Sequence, residues 1–315
     1  MHRHTLTITG FFLFFCMMIN YSCMKTEPTL QLLATKNLPH YPSASSIELY
    51  NNKLYVMGDD AQKLLVLDKD YNETDSIHFF EATEKRIAKI DKADPEASTV
   101  IEFEGKPHLF LCGSASTAKR ENVFLLNLDG NNTIDTFSIS SFIQKIKKQL
   151  PDVNIEGCTA YNNKIILANR ANLASRYNNL IITANNFFTD EQSEYNIIQL
   201  NMDTADVKGI SSLQYIKEKD WLIVTASVEE TASSYADGAI GNSYIGLIKN
   251  FSSAIKNTSI SLDKWIDLAA LIPQLQKQKI EGLTVEAITS NSMMLHLVSD
   301  NDNGESTIYK VEISL

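Results

Sequence analysis

From about residue 29 onward the chain is a succession of short apolar runs broken by turn residues. Leu64-Leu65-Val66-Leu67, Val123-Phe124-Leu125-Leu126, Ile197-Ile198-Gln199-Leu200 and Tyr244-Ile245-Gly246-Leu247-Ile248 are typical. Runs of this length bounded by Asn, Asp, Gly or Ser predict strands rather than helices. Pairs such as Asn51-Asn52 and Asn162-Asn163 fall between two such runs and predict tight hairpins. Helical spacing of apolar residues is confined to residues 142–150 and 262–276, with a weaker instance at 84–90.

The runs repeat. Tyr50-Asn51-Asn52-Lys53-Leu54-Tyr55-Val56 overlays Tyr161-Asn162-Asn163-Lys164-Ile165-Ile166-Leu167, and the match extends upstream, Ser45-Ser46-Ile47-Glu48 falling on Glu156-Gly157-Cys158-Thr159. Three more copies follow the same plan. Glu96-Ala97-Ser98-Thr99 precedes an apolar strand ending in Cys112-Gly113-Ser114. Ile210-Ser211-Ser212-Leu213 precedes Trp221 to Ser227, and Glu281-Gly282-Leu283-Thr284 precedes Leu295 to Asp300. Starts at 45, 96, 156, 210 and 281 lie 51 to 71 residues apart, a period that suits four-stranded propeller blades with insertions.

The expected fold is therefore all-β: a β-propeller of five blades, or six if one degenerate copy has escaped the comparison, with short helical inserts between blades. It would occupy residues 28–315 as a single domain. An annular sheet protein must join its first and last blades or leave exposed edges. The strand-like ends Thr29 to Ala34 and Ile308 to Ile313 predict one shared closing blade.

Charge narrows the partners. With 28 Lys and Arg against 38 Asp and Glu the net charge is −10, which argues against nucleic acid. The first residues carry a different signal: Met1-His2-Arg3-His4 and then an apolar stretch through Phe11 to Ile19, too short to span a bilayer comfortably. That stretch ends at Asn20-Tyr21-Ser22-Cys23 and resembles a relaxed bacterial lipobox of the kind common in Bacteroidetes. The resemblance implies a signal peptide over 1–22, lipid on Cys23, a tether over 23–27, and an exported protein held on the periplasmic or cell-surface side of a membrane. Ordinary signal cleavage with Cys23 left free is the alternative. Cys112 and Cys158 remain for the folded body and read as buried small side chains, one disulfide being the maximum.

Candidate chemistry follows from the repeat. If the first strand of each blade lines the central channel, Glu96, Glu156 and Glu281 converge on one axis, with Ser45 and Ile210 in the other two blades. Crowded carboxylates are relieved by protonation, by Arg or Lys, or by a bound cation with oxygen ligands. Calcium is the expected ion, on Glu96, Glu156, Glu281 and Asp300. Asp59, Arg120 and Arg170 join the three glutamates as ligand or channel candidates. The opposing reading makes the Glu-Gly pair a feature of the blade itself, with Gly allowing close approach. Asp300-Asn301-Asp302-Asn303-Gly304-Glu305 reads as a calcium loop or as a hairpin turn. His296, between Leu295 and Leu297, reads as a structural histidine. No nucleophile elbow, phosphate-binding loop or dinucleotide fingerprint is present.

At its Glu-Gly-[Leu/Cys]-Thr blocks and the Ser299 to Gly304 segment, the chain resembles Bacteroidetes lipoprotein β-propellers of the phytase-like and SdiA-regulated type. That resemblance implies channel-facing glutamates and calcium-dependent phosphoester or ester chemistry. Two functions stay open: a lipid-anchored, monomeric module binding a small molecule, glycan or protein, and a calcium-assisted hydrolase in which Arg120 or Arg170 holds the anion.

Overall fold

The computed structural model describes residues 29–82, 84–202, 206–233, 238–300 and 304–314. The signal peptide expected over 1–22, Cys23 and residues 301–303 lie outside the described residues. Numbered in chain order, 21 strands among the described residues form five sheets around an axis. Blade 1 is β2 (Ala44–Tyr50), β3 (Lys53–Gly58), β4 (Lys63–Leu67) and β5 (Glu73–His78). Blade 2 is β6 (Pro95–Phe103), β7 (Lys106–Gly113), β8 (Asn122–Asn127) and β9 (Ile134–Ser138). Blade 3 is β10 (Ile155–Tyr161), β11 (Lys164–Asn169), β12 (Asn178–Ala184) and β13 (Tyr195–Asn201), with β17 (Ser259–Ser261) added in parallel at its outer edge. Blade 4 is β14 (Lys208–Ile216), β15 (Trp221–Glu230), β16 (Ala239–Ile248) and β18 (Lys264–Asp267). Blade 5 combines both chain ends: β19 (Ile280–Ile288), β20 (Ser292–Asp300), β21 (Ser306–Ser314) and then β1 (Leu30–Leu38), antiparallel to β21.

The hairpins follow the Asn-Asn turns. Tyr50 pairs with Lys53 and Tyr161 with Lys164, and Asn51, Asn52 and Asn162 have φ of 49°, 61° and 54°, a region Asn tolerates better than other residues with a Cβ. The helical expectations fare unevenly. Residues 142–150 contain the end of α1 (Ser140–Ile146). Residues 262–276 instead begin as β18, turn once as α2 (Leu268–Leu271), capped by the Asp267 carboxylate on Ala269 and Ala270 N–H, and end in a 3₁₀ turn at Pro273–Leu275. Pro273 cannot donate the bond a longer helix needs. Residues 84–90 form no helix. Ile87 N–H donates to Asp60 C=O and Arg86 bridges Ala61, which holds this segment in an extended course across the rim.

Blades stack through apolar seams. Between blades 2 and 3, Phe110, Phe142, Phe187, Cys112 and Cys158 share one buried cluster, and both thiols are free. Near the axis, four of the five seams are fastened by a side chain of the innermost strand. Thr99 Oγ1 accepts from Ala160 N–H (3.1 Å), Thr159 from Tyr215 (3.0 Å) and Thr284 from Leu49 (3.1 Å), while Gln214 Oε1 accepts from Val285 (2.6 Å). Gly157 and Gly282 serve the same seams: a Cβ on either would lie 3.0 Å from the backbone of the next blade, at Ser212 and Ile47. At the ring closure Tyr71 Oη lies 2.8 Å from His296 Nδ1, whose other nitrogen is 2.9 Å from Glu286. His296 is fully buried and structural in this sense.

Candidate functional site

Every innermost strand carries a β-bulge at the same place. The register skips one residue between 44 and 46, 95 and 97, 155 and 157, 210 and 212, and 280 and 282. The five bulged residues are therefore Ser45, Glu96, Glu156, Ser211 and Glu281. The expectation that Ile210 holds the blade 4 position is off by one: Ile210 pairs with Ala226 and is fully buried, whereas Ser211 takes the bulge. An extra residue re-aims a side chain and bends the strand, and here it places three glutamates at one mouth of the channel.

Two further rings surround this one. Two residues before each bulged residue stand Ser43, Asp94, Asn154, Gly209 and Lys279. Just beyond the partner of the pre-bulge residue on the second strand stand Asp59, Ser114, Arg170, Ser227 and Asp300. A cavity of about 340 Å³ is lined by some members of these rings and by the segment around Arg86 and Lys92. All seven side chains proposed from the sequence line it: Asp59, Glu96, Arg120, Glu156, Arg170, Glu281 and Asp300. Arg86, Lys92, Asp94, Asn154, Glu229 and Lys279 line it too, and sequence reasoning missed them. A signal for three of those was available, since Asp94, Asn154 and Lys279 each stand two residues before a repeated glutamate.

The charges interlock. Lys92 Nζ reaches Asp59 and lies 2.6 Å from Asp94 Oδ1, while Arg120 Nη1 holds Asp94 Oδ2 at 2.7 Å. Arg86 Nε donates to Asp60 at 2.6 Å. Across the mouth, Arg170 spans Glu229 (3.1 Å) and Glu156 (3.6 Å) and donates to Ser227 Oγ (2.9 Å). Its stem lies against Gly209, where a Cβ would come within 2.7 Å of Arg170 Cγ, so this blade gives up a side chain to seat the arginine. Lys279 pairs with Glu281 at 2.9 Å and with Glu229 at 3.4 Å. Arg120 and Arg170 are thus buried partners of carboxylates rather than open cationic receptors.

Glu96 differs from its neighbours. Among the described residues, it receives no ion pair and no hydrogen bond, although Asp94, Glu156, Asp59 and Glu281 all act on it. Burial first, and those carboxylates second, hold its carboxyl well above the usual range. Burial also raises Glu281 and Glu156 despite their cations, and lifts Asp59 to about 7 against the pull of Lys92. Glu229 moves the other way: burial opposes its charge, but Lys279 and Arg170 prevail and lower it. Asp59 Oδ1 and Asp60 Oδ1 are buried without a hydrogen-bond donor.

The four residues proposed to hold calcium do not form one open set. Glu156 is engaged by Arg170 and Asn154, and Glu281 by Lys279. Among the described residues, the carboxylates close enough to share an ion are instead Asp59, Asp94 and Glu96, with ligand atoms within 4.8 Å of one another. Lys92 already contacts the first two.

The chain belongs to the Family of unknown function (DUF6929), whose profile matches residues 40–313. A search of curated proteins found no match. Among solved structures, the chain is similar to the glutaminyl cyclase of Myxococcus xanthus, with a TM-score of 0.54 and 8% identity over 91% of this chain and 97% of that one. A DUF4221 member from Bacteroides vulgatus (TM-score 0.40, 10% identity, 91% and 98% covered) and streptogramin B lyase (TM-score 0.40, 8% identity, 91% and 97% covered) are more distant. At these identities the cyclase match speaks for the fold alone. Among the described residues, no helix is long and apolar enough to cross a membrane.

Proposed function

We propose that this DUF6929 propeller is an exported, lipid-tethered protein that binds a compact polar small molecule in its channel mouth. One observation carries the reading. Ionisable side chains are packed around the cavity at ring positions where other blades hold Ser43, Ser45, Gly209 or Ser211, so the blade itself does not require charge there. Buried charges cost stability even when paired, and their concentration in a single concave site marks a place where a ligand is recognised. The cavity volume lies at the small end of the range for such sites. Lipid on Cys23 rests on the sequence pattern, and a mass shift on Cys23 in the membrane fraction tests it.

The binding reading is tested by thermal melts of the full chain against amines, amino acids, sugars, sugar phosphates and calcium, repeated with Arg86→Ala at the rim. At least one class should raise the melting temperature, and Arg86→Ala should reduce that shift. Shifts indifferent to every mouth substitution would refute the site.

A second reading keeps the calcium-assisted phosphoester or ester hydrolase. It rests on the Asp59, Asp94 and Glu96 group, a set of hard oxygen donors suited to calcium. Lys92 would have to leave for the ion to enter. A saturable calcium shift lost in Glu96→Gln, together with calcium-dependent cleavage of p-nitrophenyl phosphate, would favour it over simple binding.

A further inference from the structure

Resting on the channel-mouth reading above, we infer that the ligand is an amine whose ammonium group sits against Glu96. The mouth has more acids than bases, eight carboxylates facing six cations among the described residues. All six cations already have partners. An anionic ligand would therefore find no uncommitted positive group, and would meet the carboxylates as well. A cationic ligand finds Glu96, which among the described residues is in direct contact with no cation or donor, Lys92 and Arg170 acting on it only from farther off.

The hydrogen-bond balance points the same way. Asp60 is 4% exposed and uses Oδ2 for Arg86, yet its Oδ1 has no donor. Asp59 Oδ1 is orphaned likewise. Leaving buried acceptors unmet is costly, and this wall is short of donors rather than acceptors. An ammonium brings three N–H donors and no acceptor. A hydroxyl brings one donor and adds lone pairs to a site that already has too many. Lys92 shows the principle within the chain, its own ammonium being held by Asp59 and Asp94. A divalent cation would need several oxygens at once and would have to displace Lys92 to obtain them. A ligand amine needs only the groups that Lys92 leaves over.

The test uses the full chain and matched probes: ethanolamine against ethylene glycol, glycinamide against glycolamide, and phenethylamine against phenethyl alcohol, with inorganic phosphate and calcium as further arms. At equal concentration the amine of at least one pair should raise the melting temperature by roughly 2–4 °C, and its neutral isostere should not. Glu96→Gln should weaken that amine at least tenfold in a titration while leaving the isostere unchanged. Should Glu96→Gln fail to fold, Asp59→Asn should weaken the amine in the same assay. Equal binding of amine and isostere, or preference for phosphate or calcium, overturns the amine assignment; if such binding is still lost on Arg86→Ala, the channel-mouth site stands without it. Absence of any response from the amines overturns the assignment, and silence from every class overturns both.

Discussion

Glu48 is the one member of the seam-fastening ring that does not fasten. It occupies the position of Thr99, Thr159, Gln214 and Thr284, each of which accepts a backbone N–H from the following blade. Glu48 is 8% exposed, and burial alone lifts its pKa from 4.5 to about 8. For an acid raised in the folded state, stability is complete below the unfolded value of 4.5 and is lost as pH rises toward 8. By pH 7 that loss amounts to about 3 kcal/mol, as an order of magnitude. Glu48→Gln removes the titrating group and keeps its length. It should therefore be more stable than the parent by under about 1 kcal/mol at pH 5 and by about 3 kcal/mol at pH 7, the latter raising the melting temperature by roughly 5–10 °C. Glu48→Thr should do at least as well, because a threonine there can accept from the N–H of Val100. Urea and thermal melts of the full chain at pH 5, 6, 7 and 8 measure the difference. A gap of constant size across that range, or no gap at pH 7, would show that the Glu48 carboxyl is solvated or partnered and that the ring argument fails.

Other consequences can be checked with the same melts. Gly157→Ala drives a Cβ to 3.0 Å from Ser212 Cα and should cost about 1–3 kcal/mol; a neutral result would mean blades 3 and 4 separate at no cost. Arg170→Met removes the arginine from Glu156 and leaves Glu229 only Lys279, and should cost about 3–5 kcal/mol near neutral pH. Since Glu229 is lowered from 4.5, its contribution is present above that value and disappears as pH falls, so the penalty should shrink in acid, and a penalty growing in acid would refute the pairing. Burial pushes His296 down from 6.5 to about 4, so the parent should lose stability as pH falls between those values. His296→Gln, which can still bond Tyr71, should flatten that limb of the stability curve, and an unchanged slope would exclude His296 as its source.

How much of this was legible in the sequence depends on which force fixes each feature. Blade count and strand order are set by local turn chemistry and by the spacing of apolar runs, and the Asn51-Asn52 and Asn162-Asn163 hairpins could be read directly. The convergence of Glu96, Glu156 and Glu281 follows from blade equivalence. The bulge was not legible: nothing in Ile210-Ser211-Ser212-Leu213 tells which residue the partner strand skips, and a one-residue error replaced Ser211 with a core isoleucine. The helical reading of residues 84–90 failed for a different reason. Their apolar spacing is weak, and Asp60 decides their course through one backbone bond and one ion pair from outside the segment.

The same distinction explains why the glutamates were visible and Arg86, Lys92 and Glu229 were not. A bulge recurs because the annulus needs each inner strand to bend at one height, so what sits on it inherits the period. Lys92 comes from the connection between β5 and β6 and Glu229 from the end of β15 beyond its register shift, neither of them a ring position. Arg170 is intermediate. It stands at a ring position, but its use depends on Gly209 in the next blade leaving room for it, a relation between two non-equivalent residues that no repeat alignment displays. The mouth therefore combines a periodic component, which supplies acids, with an aperiodic one, which neutralises most of them. Glu96 is what remains when the second is subtracted from the first, and recognition of a ligand should be sensitive to Glu96 and to the aperiodic cations while being indifferent to Ser45 and Ser211 in the same ring.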